Sequence, residues 1–258
     1  MWTLSAVLIL IAGFVLLMVF VPNLSKGAFL VIFMCLIIPC WIGAHFDRKA
    51  RTKRIEQEMH LKDFVLTAES ELDSELRSTY LQTKPHNLGT ASLTHVFSGL
   101  HSGYELVLAE HRVSVGKNTL YYTSCAVWTS VDLPKVIIRQ RNLIDKVVAK
   151  QDLGDPAFDK QREIESTDLD LARQLLQPLA SWFVVDKHSA MSFRLHEVPG
   201  KVEMWAMNQN WVVVADRGRA NPRQMLDMAE FASSFVRALE HNSASLDVDE
   251  QVNIQNGH

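Results

Sequence analysis

The chain is poor in the short motifs that announce chemistry. It has no GxSxG elbow and no glycine-rich phosphate loop, so neither nucleophilic nor nucleotide chemistry has a signature here. Its three cysteines, Cys35, Cys40 and Cys125, make no CxxC and have no histidines at zinc spacing, and each reads as a small apolar packing residue. No cofactor and no metal is expected. Charge of one sign is missing as well. The formal net charge is -3, and the segment from His241 to His258, with Asp247, Asp249 and Glu250 and no Lys or Arg, accounts for all of it. A balanced remainder argues against a nucleic-acid partner, whose phosphates require a basic face.

What the chain does have is long hydrophobic runs. Leu4 to Val21 and Gly27 to Gly43 contain no ionisable residue. Their lengths of 18 and 17 residues are near the minimum for crossing a hydrocarbon core about 30 Å thick at about 1.5 Å per residue. They predict a transmembrane helical hairpin over residues 1–46. Only Lys26 lies in the linker, whereas Arg48, Lys49, Arg51, Lys53 and Arg54 follow the second run, so both termini are expected in the cytoplasm. Trp2 and Trp41 fall where that topology puts the cytoplasmic interface, a favourable depth for an indole. The five basic residues suit anionic lipid headgroups. With no charge inside the spans the hairpin offers no proton relay or substrate-binding group of the kind transporters carry. It reads as an anchor.

Residues 47–84 read as a basic juxtamembrane segment and helical stalk, with an apolar stripe at Leu61, Val65, Ala68, Leu72 and Leu76 and no Gly or Pro before Pro85. Residues 85–240 are long enough for one domain with its own core. Strands are expected at Leu93 to Gly99, Tyr104 to Ala109, Thr119 to Val131 and Lys135 to Arg139, with turns at His101-Ser102-Gly103 and Gly116-Lys117-Asn118. Thr167 and Asp170 then have capping-box-like spacing before a helix carrying Leu171, Leu175, Leu176, Leu179, Trp182 and Phe183, which Pro178 kinks or ends. A meander of Met191 to Glu197, Val202 to Met207 and Trp211 to Asp216 is expected next, turning at Pro199-Gly200 and Asn208-Gln209-Asn210. Asn221 and Pro222 start a closing helix with Met225, Met228, Ala229, Ala232, Phe235, Val236 and Leu239 on one face. This order defines an α+β fold of antiparallel strands packed with two amphipathic helices. Residues 241–258 read as an acidic, disordered tail.

The stretch Gly154-Asp155-Pro156-Ala157-Phe158-Asp159, with Ile164, Thr167-Asp168 and Ala172-Arg173-Gln174-Leu175-Leu176 after it and Gly103-Tyr104 and Leu133-Pro134 before it, resembles a pattern in uncharacterised bacterial membrane-anchored proteins. Those carry one or two N-terminal transmembrane helices and a soluble α+β domain. The resemblance covers about residues 90 to 240. It implies an integral protein of the bacterial inner membrane and supplies no catalytic residues.

Candidate chemistry is sparse. His95, His101 and His111, with Glu105, Glu110 and Asp132, crowd the first hairpin, but no two histidines have spacing that aims both at one ion. Asp155, Asp159, Asp168 and Asp170 form the densest carboxylate group and are read as turn and helix-start residues rather than an acid–base pair. Trp205 and Trp211 flank the expected Asn208 turn and are the candidate interaction surface. The reading is therefore a membrane-anchored cytoplasmic binding or scaffolding module with an unidentified protein partner. The alternative is a membrane-tethered enzyme, a hydrolase using His101, His111, Asp155 and Asp159.

Overall fold

A computed structural model describes residues 43, 45–47, 49–82, 91–115, 117–140, 151–184 and 202–256. The expected spans, Trp2, Trp41, Arg48 and the expected strand Met191 to Glu197 lie outside the described residues. Among those residues no helix is long and apolar enough to cross a membrane. The chain divides into two units, Met1–Gln57 and Glu58–His258. Residues 49–60 are helical (α1).

In the second unit the predicted antiparallel sheet is present, with six strands among the described residues: β1 Val65–Leu66, β2 Ala91–His101, β3 Tyr104–Val115, β4 Asn118–Gln140, β5 Arg162–Ser166 and β6 Val202–Arg217. They run β1-β2-β3-β4-β5, and β6 pairs with β4. Every pairing is antiparallel. The first hairpin turns where the sequence predicted. Ser102 and Gly103 both have positive φ, 52° and 87°, and His101 pairs with Tyr104, as a two-residue turn matched to strand twist requires.

Two expected breaks in the strands do not occur. The segments 119–131 and 135–139 are one strand, β4, and the segments 202–207 and 211–216 are one strand, β6. Asn208-Gln209-Asn210 is not a turn. The β4–β6 register shifts between Trp128 and Leu133 and again between Leu133 and Val136, and the polar residues belong to that irregularity. Gln209 takes φ 49° there, and the Asn210 side-chain amide donates to the Thr129 and Val131 carbonyls at 3.0 and 3.4 Å. Pro134 falls in the same stretch, where a missing ladder N–H costs least. The long strands fold over at this bulge. Met204 near one end of β6 therefore joins a buried cluster with Val113, Tyr122 and Ala215, the last from the other end of the same strand.

Helices cover both faces of the sheet. On one face α2 (Ser74–Gln82) packs Leu76 and Tyr80 with Val107, Ala109, Ala126 and Val213, and the Tyr80 hydroxyl donates to the Val107 carbonyl at 2.5 Å. Alternate residues Leu106, Leu108, Cys125, Val127, Val212 and Val214 are buried on the opposite face. The closing helix α5 (Pro222–Asn256) covers that face, beginning where predicted: the Gln224 N–H bonds the Asn221 side chain at 2.9 Å. Met225, Met228, Ala229, Ala232, Phe235, Val236 and Leu239 are all fully buried. At 35 residues α5 runs well beyond residue 240. The segment expected to be a disordered tail is helical through Asn256.

The stalk is also corrected. α-Helicity stops at residue 60 and resumes only at α2, and a turn over 61–63, with Asp63 at φ 62°, leads into β1. The stripe fails because it is not a helical face: Leu61 and Val65 are 80 and 64 % exposed. Sheet pairing wins here. Val65 and Leu66 pair with Ser98 and Phe97, Thr67 and Ser98 share a hydroxyl hydrogen bond of 2.7 Å, and Phe64 is buried over Gly99. A Cβ at Gly99 would lie 2.7 Å from the Phe64 ring, so only glycine admits that contact.

Between β4 and β6 in the chain come α3 (Pro156–Gln161), α4 (Leu169–Leu176) and a 3-10 turn at Gln177–Trp182. Asp155 caps α3 through the Phe158 N–H at 2.7 Å. Asp159 reaches back to the N–H groups of Leu153 and Gly154 at 2.8 and 3.1 Å. The cap of α4 is Asp168, which accepts from the Leu171 N–H at 3.0 Å, one position later than the Thr167 box predicted. Pro178 does end the α-helix, by starting the 3-10 turn. This layer joins α5 through rings: Phe183, Trp205 and Phe235 meet at centroid distances of 4.8, 4.6 and 5.5 Å.

Candidate functional site

Sheet register brings polar residues together at one end of the α5 face. Thr94, Glu110, Thr123 and Asp216 are successive cross-strand partners on β2, β3, β4 and β6, so their side chains share one face. Glu110, Thr123 and Asp216 are buried. The residues leading into α5 close over the row. The Ala220 N–H donates to Glu110 Oε2 at 2.9 Å, and the Gln224 side-chain amide donates to Asp216 Oδ2 at 3.3 Å. His95, at φ 50° beside the β2 register shift, brings Nδ1 to 3.8 Å from Glu110 Oε1. A buried carboxylate that receives a helix-entry N–H is well placed to hold α5 in register.

The far end of the α5 contact is open. Glu240 turns from the helix toward the β4 bulge. Its Oε1 accepts from Thr129 Oγ1 at 2.9 Å, the Ser130 N–H at 3.0 Å and Ser130 Oγ at 3.1 Å, and its Oε2 accepts from the Tyr104 hydroxyl at 2.9 Å. Burial works against ionisation here, but the bonds from Ser130, Tyr104 and Thr129 outweigh it and hold the carboxyl below its usual value. Burial, and then the Glu240 carboxylate, push the Tyr104 phenol up. Beside this clamp is a cleft of about 480 Å³ between the β4 bulge, α4 and α5, within the size range of ligand sites. Val131, Leu171, Leu175, Ala244 and Leu246 give it an apolar wall, and Ser130, Asp132, Gln174, Glu240 and Ser243 its polar groups. The Asn242 side chain ties α5 to α4 through the Leu175 carbonyl at 2.9 Å.

The residues singled out from sequence do not converge on this cleft. His101 donates to or accepts from Glu230 at 2.8 Å on the exposed end of the hairpin. His111 is fully buried, its ring 6.3 Å from that of Tyr122. Asp155, Asp159 and Asp168 act as helix-start and loop ligands, and Asp170 is 3.6 Å from Arg173. The arrangement that a hydrolase using His101, His111, Asp155 and Asp159 required is therefore absent. Among the described residues no group of three His, Cys, Asp or Glu is placed to hold a metal ion.

The tryptophan surface is corrected too. Trp205 is fully buried and Trp211 is 8 % exposed, because the turn that was to present them does not exist. Among the described residues Trp128, opposite Trp211, is the exposed tryptophan, 43 % accessible. Sequence reasoning missed Glu240 altogether. The one available signal was a carboxylate continuing the α5 face directly after Leu239, where burial demands a partner.

No protein-family model matches the chain, and no curated protein matches it in sequence. Among solved structures it is similar to the mycobacterial trehalose monomycolate transport factor A, with 17 % identity and a TM-score of 0.45 over 73 % of this chain and 93 % of that one. A likeness of that degree does not reach to function.

Proposed function

We propose that this chain is a membrane-anchored binding module of the bacterial inner membrane. The hairpin of residues 1–46 holds the α+β domain at the cytoplasmic leaflet with both termini inside, and the basic residues after it meet anionic headgroups. The cleft beside Glu240 takes an apolar segment of a partner protein. One observation carries the binding part: a cleft of about 480 Å³, in which Leu171, Leu175 and Leu246 stand among polar groups, lies beside a carboxylate whose oxygens are already satisfied by the protein. Those leucines offer burial to an apolar side chain, and the polar groups around them fix orientation. The anchor part is supported by the uncharged runs and their basic flank.

Photocrosslinking in native membranes tests the binding part. A benzophenone side chain placed at Gln174, on the cleft, should give a discrete protein adduct, and Leu171→Glu should abolish it. The same probe at Glu165 on β5, 72 % exposed, should give none. Equal labelling from both positions, or adducts indifferent to Leu171→Glu, would remove the cleft from the proposal. Reporter fusions at each terminus test the anchor: an extracytoplasmic signal from either overturns it.

A further inference from the structure

The turn and edge strand that follow α1 expose more apolar side chain than a water-facing edge needs. Leu61 sits at the tip of the turn, which is pinned by the Lys62 and Phe64 N–H groups on the Met59 carbonyl at 3.0 and 3.2 Å. It is 80 % exposed, and Val65 and Leu66 on β1 are 64 and 55 % exposed. Leu100, 73 % exposed, is two residues along β2 from Ser98, the partner of Val65, and so shares its face. Among the described residues strand β1 is the outermost strand of the sheet path. An open apolar edge is ordinarily shortened or charged to prevent association. This one is short but keeps its leucines outward.

The surrounding chain says what covers it. Residues 45–66 carry six cations, Arg48, Lys49, Arg51, Lys53, Arg54 and Lys62, against four carboxylates, Asp47, Glu56, Glu58 and Asp63. The cations of 48–54 follow directly on the second apolar run. Only six residues lie between Arg54 and Leu61 in the sequence. That is within reach of the headgroup layer on which the basic residues act. Apolar side chains flanked by cations are what an anionic bilayer surface takes up.

We infer that Leu61, Val65 and Leu66, with Lys62, form a bilayer-docking edge that seats the domain on the leaflet to which its anchor holds it. This rests on the anchor proposed above. Docking fixes the orientation of the sheet relative to the membrane, which a flexible tether would not.

Depth-dependent quenching in the full chain tests it. After replacing Cys35, Cys40 and Cys125 by Ala, single cysteines are introduced as Leu61→Cys, Val65→Cys, Glu165→Cys and, within the first apolar run, Leu10→Cys. Each is labelled with an NBD fluorophore in mixed phosphatidylcholine–phosphatidylglycerol vesicles with and without brominated acyl chains. The probes at 61 and 65 should be blue-shifted and quenched by the brominated lipid, as the probe at 10 is, whereas the probe at 165 is not. Quenching at 10 without quenching at 61 and 65 overturns the docking edge and leaves the anchor standing. Absence of quenching at all four overturns both. Quenching at 61 and 65 that depends on protein density and not on bromine marks a second copy pairing along β1, and also overturns it.

Discussion

Helix α5 is fastened to the sheet by a carboxylate near each end of its buried face, and the two fastenings differ in where the carboxylate comes from and in what surrounds it. At the entry, Glu110 rises from β3 and takes the Ala220 N–H beside buried Thr123 and Asp216. Some twenty residues on, Glu240 descends from the helix onto Tyr104, Thr129 and Ser130 beside an open cleft. Both replace water around a carboxylate with protein donors, which is what permits partial or complete burial. At the second, apolar residues of the cleft stand next to the bond. The entry is therefore a structural joint, and the far end is a joint that also shapes a binding surface.

The largest expected effect breaks the entry joint. Glu110→Ala removes the buried hydrogen bond from the Ala220 N–H to Oε2, a loss of about 2–3 kcal/mol for a bond to a carboxyl acceptor away from solvent. Urea unfolding of the purified chain, followed by near-ultraviolet circular dichroism, measures it. Glu240→Ala should cost less, about 1–2 kcal/mol, because solvent entering the cleft can satisfy the released Ser130 and Thr129 groups. An equal or larger loss at Glu240 would reverse the comparison, making the open end the stronger joint.

Acid sharpens the same contrast. The Glu240 carboxyl is held below its usual value in the folded chain, so the unfolded chain binds that proton more readily. The contribution of the clamp is fully present above the unfolded value of about 4.3 and is lost as pH falls through the lower folded value. Stability of the native chain should decline over that interval, and Glu240→Gln should flatten the decline by the share due to this group. An unchanged acid slope in Glu240→Gln would mean that other carboxylates carry it.

How far this was legible beforehand follows from where each interaction lies along the chain. The α5 face was visible because helical periodicity places Met225, Met228, Ala232, Phe235 and Leu239 on one stripe, and the Asn221-Pro222 start because a cap is a local device. Strand type was visible for the same reason. The continuity of β4 and β6 was not. Pro134 and Asn208-Gln209-Asn210 are turn chemistry when read locally, and only the pairing between them shows that the irregularities of two strands face each other. The cleft was hidden because its walls come from β4, α4 and α5, segments separated by tens of residues. The stalk misled because an apolar period near 3.5 over residues 61–76 mixed outward edge residues with the buried Leu76.

The smallest effect belongs to a third carboxylate on α5, which lies between the two joints and does neither job. Glu230 meets His101 at 2.8 Å, and that imidazole holds its carboxyl below the usual value. The Glu230 side chain is 57 % exposed, so solvent screens the pair and its contribution is about 0.5 kcal/mol or less. His101→Ala should therefore shift the urea midpoint by little, while a carboxyl-carbon NMR titration shows the Glu230 pKa rising toward its ordinary value. Hydrogen bonding alone does not make a joint of a carboxylate; what Glu110 and Glu240 add is a backbone N–H among their donors. A large loss of stability in His101→Ala would mean that the hairpin tip, too, fastens the helix.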